Sequence, residues 1–379
     1  MRRIDRYLLR QFLQTFLICF VSLTGLYTVI DAFGRLDDFA GEGKSLVESF
    51  GSAARYYGMQ SLTFFNRTSG VLAMIAAMFT VTWFQRHNEM TALLAAGLPR
   101  VRILRPVLIA AVCVALAAAG VRELVIPELR HELALDSKDL KEGHAVDLKP
   151  RYDNVSDILL GGDQAVLRSG TILRPAFVLP PRYSNQFGKQ LTAERAIYLP
   201  PDSGRPGGYL LSGVKQPSRL AERASLRSGE GEWVIVTPRD AAWLEPDQAF
   251  VVSGVSFELL AAGPQWRDLA STAELVEQLA SPSTELGPDV RVAVHGRLLQ
   301  PFLDITLLML GLPLVVSRGS QSPFLAMGLS VLVVTGFFLV ALGGQALGAG
   351  GWMRPTLAAW LPLIVFVPVA AALSVSLKR

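Results

Sequence analysis

The segment with the most chemical content reads Gln85-Arg86-His87-Asn88-Glu89-Met90-Thr91-Ala92-Leu93-Leu94-Ala95-Ala96-Gly97-Leu98-Pro99-Arg100. It predicts a short helix over about 86–98, stopped by glycine and proline. An alanine-rich surface is narrow enough to enter a groove on another protein, and Glu89 offers a charge to a partner's arginine. The residues that would make that contact are Arg86, Glu89, Ala92, Leu93, Ala96 and Gly97. The same residues also suit a helix lying on lipid, with the flanking arginines at the head groups.

Two charges fall inside otherwise apolar runs, where an unpaired ion costs at least about 2.5–3.5 kcal/mol. Arg67 would meet an anionic lipid head group, snorkel, or pair with a neighbouring helix. Asp304 points to a structural partner such as Arg297 or a serine hydroxyl, with a proton relay as the alternative.

No catalytic constellation converges. Gly43-Lys44-Ser45 lacks the earlier glycine of a phosphate-binding loop, because Asp38 holds that position. This chain therefore encodes no ATPase, and any ATP and Mg belong to a partner. His87, His131, His144 and His295 show no metal-ligand spacing, so no metal or other cofactor is expected in this chain. A Gly-x-Ser-x-Gly elbow is missing, which removes support for a serine hydrolase.

The elements that must carry these residues follow from the uneven placement of charge. The 379 residues have a mean hydropathy of +0.36 and 18% charged residues, too few for an ordinary soluble protein. Of the 36 basic and 32 acidic residues, 20 and 24 lie between 122 and 297, so the middle carries −4 and the rest +8. The basic excess thus sits in the apolar part, and nucleic acid is not an expected partner. Cys19 and Cys113, the only cysteines, lie in apolar runs, so no disulfide can staple the middle.

A bilayer core of about 30 Å requires roughly 20 apolar helical residues. Six candidate spans answer to that: Gln11 to Ile30, Tyr56 to Gln85, Pro106 to Val121 with Arg105 and Arg122 snorkelling at its ends, Leu298 to Ser317, one within Gly319 to Met353, and Pro355 to Leu377. The first is full length and lacks a cleavage site, so it reads as a retained helix. Arg2, Arg3, Arg6, Arg10, Arg86, Arg100, Arg102, Arg105, Arg318, Lys378 and Arg379 gather on one side against only Asp5 and Glu89. By the positive-inside bias the termini are cytoplasmic and the middle domain is periplasmic.

Within that middle, short β-type runs alternate with turn signals: Ser156 to Leu160, Gln164 to Arg168, Thr171 to Leu179, Leu191 to Leu199, Tyr209 to Val214, Trp233 to Thr237 and Phe250 to Phe257. Such spacing favours a sandwich or jelly roll. From about 265 to 280 the period becomes helical, with Ser271 and Glu274 at capping-box spacing. The expected organisation is residues 1–127 with three transmembrane helices, 128–290 as an all-β jelly-roll-like insert with a helical return, and 291–379 with three more helices.

Read together, several stretches resemble the LptF/LptG family of lipopolysaccharide-export permeases. They are Ile4-Asp5-Arg6-Tyr7-Leu8-Leu9-Arg10, the Arg86 to Arg105 segment with Asn88-Glu89 and Ala95-Ala96-Gly97, Glu123-Leu124-Val125-Ile126-Pro127-Glu128, and His295-Gly296-Arg297-Leu298 with Pro301 and Pro313. The opening Asp-Arg-Tyr and Asp31 to Phe39 lean towards the LptG branch. Asn66, Arg67 and Ser69 depart from a proline common near the start of the second span.

The resemblance implies a non-catalytic permease half of an ABC exporter in the bacterial inner membrane. It implies a paralogous subunit as heterodimer partner and a cytoplasmic ABC ATPase dimer docked on the helix around Glu89. Lipopolysaccharide would pass to the periplasmic jelly roll, and on through a relay protein and a bridge towards the outer membrane. Arg35, Arg55 and Arg67 are the expected contacts for anionic head groups. Two rivals remain at this level: a membrane-anchored periplasmic scaffold, and a proton-coupled transporter using Asp304.

Overall fold

The computed structural model describes residues 2–35, 46–133, 145–167, 169–202, 205–228, 231–261, 266–317 and 323–378. Gly43-Lys44-Ser45, the end of the Asp31 to Phe39 stretch, His144, Arg168, Arg318 and Arg379 lie outside them. The chain divides into two compact units, one of residues 1–40, 44–127 and 287–379, the other of 41–43 and 128–286.

Six helices of the first unit are long and apolar enough to cross a membrane. They are α1 (Arg2–Gly34), α2 (Leu46–Arg86), α4 (Arg100–Gly120), α6 (Pro288–Ser317), α7 (Pro323–Ala349) and α8 (Pro355–Lys378). Short α3 (Glu89–Ala95) separates α2 from α4. Several exceed the apolar runs that announce them. α2 has 41 residues, about 60 Å at 1.5 Å per residue, roughly twice a hydrocarbon core. Charge marks where hydrocarbon ends, whereas the backbone ladder of a helix continues through polar residues.

The expected third span, Pro106 to Val121, needs the largest correction. α4 starts at Arg100 and passes through a π-helical turn, Val121–Val125, into Ile126–Glu128. Arg105 is exposed, but Arg122 does not snorkel: it is buried inside the unit. Arg122 extends the buried small-residue row Ala111, Ala115, Ala118 by helical spacing, which directs it inward.

The core of this unit is built from α2, α4 and α6, with Ala76, Ala77, Val107, Leu307 and Leu310 among its most buried residues. α1 adds Leu8 and Phe12 near its start, and Arg102 Nη2 donates to Asp5 Oδ2 at 3.2 Å. Further along, Phe16, Phe20 and Tyr27 pack on Phe64 and Phe65 of α2.

The second unit is antiparallel β. Strands β1 (Ala145–Asp147), β4 (Gln164–Val166), β5 (Thr171–Leu173), β8 (Arg195–Leu199), β9 (Gly208–Ser212), β12 (Ala249–Val252), β11 (Trp233–Val236) and β10 (Leu226–Arg227) form an eight-stranded sheet in that order. Four others, β2 (Arg151–Asp153), β3 (Ile158–Leu160), β6 (Ala176–Val178) and β7 (Gln190–Thr192), form a second sheet. From β2 to β9 successive hairpins alternate between the sheets, as in a sandwich or jelly roll, and β10 to β12 then all join the larger sheet.

Two expected strands are each cut in half by this crossing. Thr171 to Leu179 divides into β5 and β6 at Arg174-Pro175, and Leu191 to Leu199 into β7 and β8 at Ala193-Glu194. Proline has no N–H to give a ladder. The two corners bond to each other instead, Arg174 N to Glu194 O at 3.0 Å and Ala193 N to Pro175 O at 3.2 Å. The run from Phe250 ends at Val252, and Phe257 opens a short helix.

The helical return forms as Trp266–Leu269 and α5 (Thr272–Ala280). Ser271 Oγ accepts from Glu274 N at 3.2 Å while Ser271 N donates to Glu274 Oε2 at 2.8 Å, closing the capping box. Glu274 and Glu258 also share Arg130, at 2.7 and 3.1 Å.

Candidate functional site

α3 is two-sided. Met90 is buried, and Leu93, Leu94 and Leu98 pack partly buried against the same core that α2, α4 and α6 build. Thr91, Ala92, Ala95, Ala96 and Gly97 are exposed, as is Arg86 at the end of α2. Leu93 therefore turns towards the core rather than joining the outward face with Ala92 and Ala96.

The geometry follows from local sequence. Asn88 takes a left-handed conformation (φ 57°), separating α3 from α2, and Glu89 begins the helix half-buried. At the other end Gly97 has φ 81°, Gly97 N donates to Leu94 O at 2.9 Å and Leu98 N to Leu93 O at 3.2 Å. This is a glycine-terminated helix end of the Schellman type, with Leu98 folded back over Leu93. The result is a rigid, low-relief surface of methyl groups with a carboxylate at its start. Glu89 has no ion-pair partner among the described residues.

A second polar centre lies within the helices. Asp304 Oδ1 accepts from Gln300 Nε2 at 3.0 Å, one turn earlier on α6. Gln300 stands where Arg297 or a serine hydroxyl was anticipated. The carboxylate lies against Gly70 of α2 in a recess also lined by Ala73, Met74, Ala111 and Ala115. A side chain at position 70 would occupy the carboxylate's space, so glycine is what admits Asp304. Arg122, just past the end of α4, reaches α6 two turns before Asp304, with Nη2 3.1 Å from Arg297 O.

The three arginines expected to meet lipid are not brought together. Arg35 is paired with Asp31 at 3.2 Å, and Tyr57 Oη donates to the same carboxylate at 3.0 Å. Arg55 and Arg67 are exposed on α2, but twelve residues separate them, about 18 Å along the axis and roughly 120° around it. They form separate positions along one helix.

Among the described residues no group of His, Cys, Asp and Glu is arranged to hold a metal ion. His87 lies on the Trp83 ring with Nδ1 2.9 Å from Trp83 O, and His295 Nε2 is 3.3 Å from Thr356 Oγ1.

Arg122, Gly70 and Gln300 are the site residues that sequence reasoning missed. Arg122 carried a signal in its helical spacing from Ala115 and Ala118. Gly70 carried none, because its neighbour is 234 positions away.

Comparison with known families matches residues 6–151 and 247–376 to the one described as lipopolysaccharide export system permease LptF/LptG. The match reaches all six long helices and α3, and leaves out β3 to β11. No match is found among curated proteins. The matched residues make up well over half of the chain, which belongs to the LptF/LptG family.

Proposed function

We propose that this family member is one permease half of an ABC exporter that lifts lipopolysaccharide, or a related glycolipid, out of the inner membrane and delivers it towards the outer membrane. It pairs with a paralogous permease, LptG-like in the present chain, above a dimeric cytoplasmic ATPase that holds ATP and Mg. The termini and α3 face the cytoplasm, as the clustered arginines favour. The β unit is periplasmic and relays the lipid to a second jelly-roll protein and a bridge.

The two-sided α3 carries the reading. A helix that only lies on lipid turns its apolar face to the membrane, whereas here Met90, Leu93 and Leu94 are spent on the chain's own core. What remains outside is the alanine surface with Glu89. Such a surface fits a groove and transmits displacement, because it is anchored from below. Arg55 and Arg67, exposed on α2, are the positions where anionic head groups would be met.

The experiment is a detergent pull-down of the tagged chain from its native membrane, wild type against Glu89→Arg. The exporter reading expects an ABC ATPase to co-purify with wild type and to be lost on charge reversal. A folded chain that brings down no ATPase in either form defeats it.

A further inference from the structure

In an unbroken α-helix the carbonyl of residue i accepts from the N–H of residue i+4. Pro301 has no N–H, so the Arg297 carbonyl of α6 loses its helical donor. Arg122 supplies the missing donor: its Nη2 lies 3.1 Å from Arg297 O, across 175 positions of sequence. The same guanidinium is held through Nε by Glu123 Oε1 at 3.0 Å, with its side chain only 10% exposed. It projects from the π-helical turn that ends α4, and such turns recur at functional positions.

Pro362 likewise strips the helical donor from the Ala358 carbonyl of α8. There α7 closes in: a Cβ on Gly344 would stand 2.9 Å from Ala358 O, so only glycine permits the approach. The Ala358 carbonyl thus faces the α7 backbone, whereas the Arg297 carbonyl of α6 receives a charged side chain. Asp304 lies two turns further along α6, bonded to Gln300.

We propose that Arg122 is a positioning residue of the permease, replacing the N–H that Pro301 lacks and so fixing the end of α4 to the turn of α6 that carries Gln300 and Asp304. The assignment requires neither the ATPase nor the glycolipid of the previous section. It differs from a head-group contact in one respect that can be measured: the need for Arg122 falls when position 301 regains its N–H.

The test uses the purified full-length chain in detergent, carrying Arg122→Met, Arg122→Lys, Pro301→Ala, or Arg122→Met with Pro301→Ala. Arg122→Met is expected to lower the thermal midpoint by about 5 °C. Arg122→Lys, which keeps a charged donor, should recover most of that loss. In the Pro301→Ala background the same Arg122→Met change should cost less than half as much. Equal losses with and without Pro301, or failure of lysine to rescue, overturn the proposal. Should Arg122→Met yield no folded chain, its recovery by Pro301→Ala supports the assignment and continued absence overturns it.

Discussion

Replacing Gly70 by alanine tests the contact between α2 and α6 directly. A Cβ built at Gly70 stands 2.7 Å from Asp304 Cγ, closer than carbon atoms approach one another. To make room the carboxylate must leave its Gln300 bond or α2 must move, and overpacking of this kind costs about 1–3 kcal/mol. Alanine also improves the helix by about 0.5–1 kcal/mol over glycine. The net expectation in the wild-type background is therefore a loss of about 1–2 kcal/mol. With Asp304→Ala the clash is gone and only the helix term remains, so Gly70→Ala becomes stabilising by about 0.5–1 kcal/mol. The sign of one substitution thus depends on a residue 234 positions away, with a coupling of about 2 kcal/mol, within the range of contacting pairs. Thermal unfolding of the four solubilised proteins in a double-mutant cycle measures it. A Gly70→Ala effect of the same sign and size in both backgrounds would refute the contact.

Met90 and Ala92 should separate anchoring from docking. Met90→Ala removes a buried anchor of α3 and is expected to cost about 2–5 kcal/mol in thermal unfolding, with ATPase recovery falling although Glu89 is intact. Ala92→Arg lies on the exposed face and should leave stability within about 0.5 kcal/mol while abolishing ATPase recovery. Asp304→Asn keeps the shape of the side chain and its acceptor oxygen, so the exporter reading expects glycolipid export to persist. Loss of export with Asp304→Asn alongside unaffected Glu89→Ala would favour proton coupling instead.

What was legible in the sequence is what neighbouring residues determine. The capping box at Ser271 and Glu274, the glycine stop at Gly97 and most strand centres depend on residues within a few positions of each other. The two cut strands were missed because an alternating pattern passes unbroken through a corner, and the partner of each corner lies some 20 residues on. Span ends were missed because hydropathy reports the bilayer and not the helix. Asp304 stood out as a charge in an apolar run, but its place against Gly70 is set by another helix, and only its bond to Gln300 is local. Arg122 read as a snorkelling terminus for the same reason: the carbonyl it serves is orphaned by a proline far along the chain.

The unit's interior also determines what α3 is fixed to. Apolar exposure alone says little here, since lipid tails are as apolar as leucine and need no protein to cover a helix. Only 6% of the most apolar stretch of α1 is buried, against 67% for α6, so the helices differ in what holds them. α2, α4 and α6 are joined by the shared core, by Asp304 against Gly70, by Arg122 on Arg297, and by Gln85 Nε2 on Val315 O at 3.4 Å. Met90, Leu93 and Leu94 root α3 in that same block. A displacement imposed on α3 therefore enters three helices together, because moving one alone would strand a buried carbonyl or a carboxylate. Deformation is left to the less buried helices: α1, held beyond Phe12 by aromatic contacts and the Asp31–Tyr57 bond, and α7. In this arrangement the polar groups buried among the helices serve to make the central three move as one.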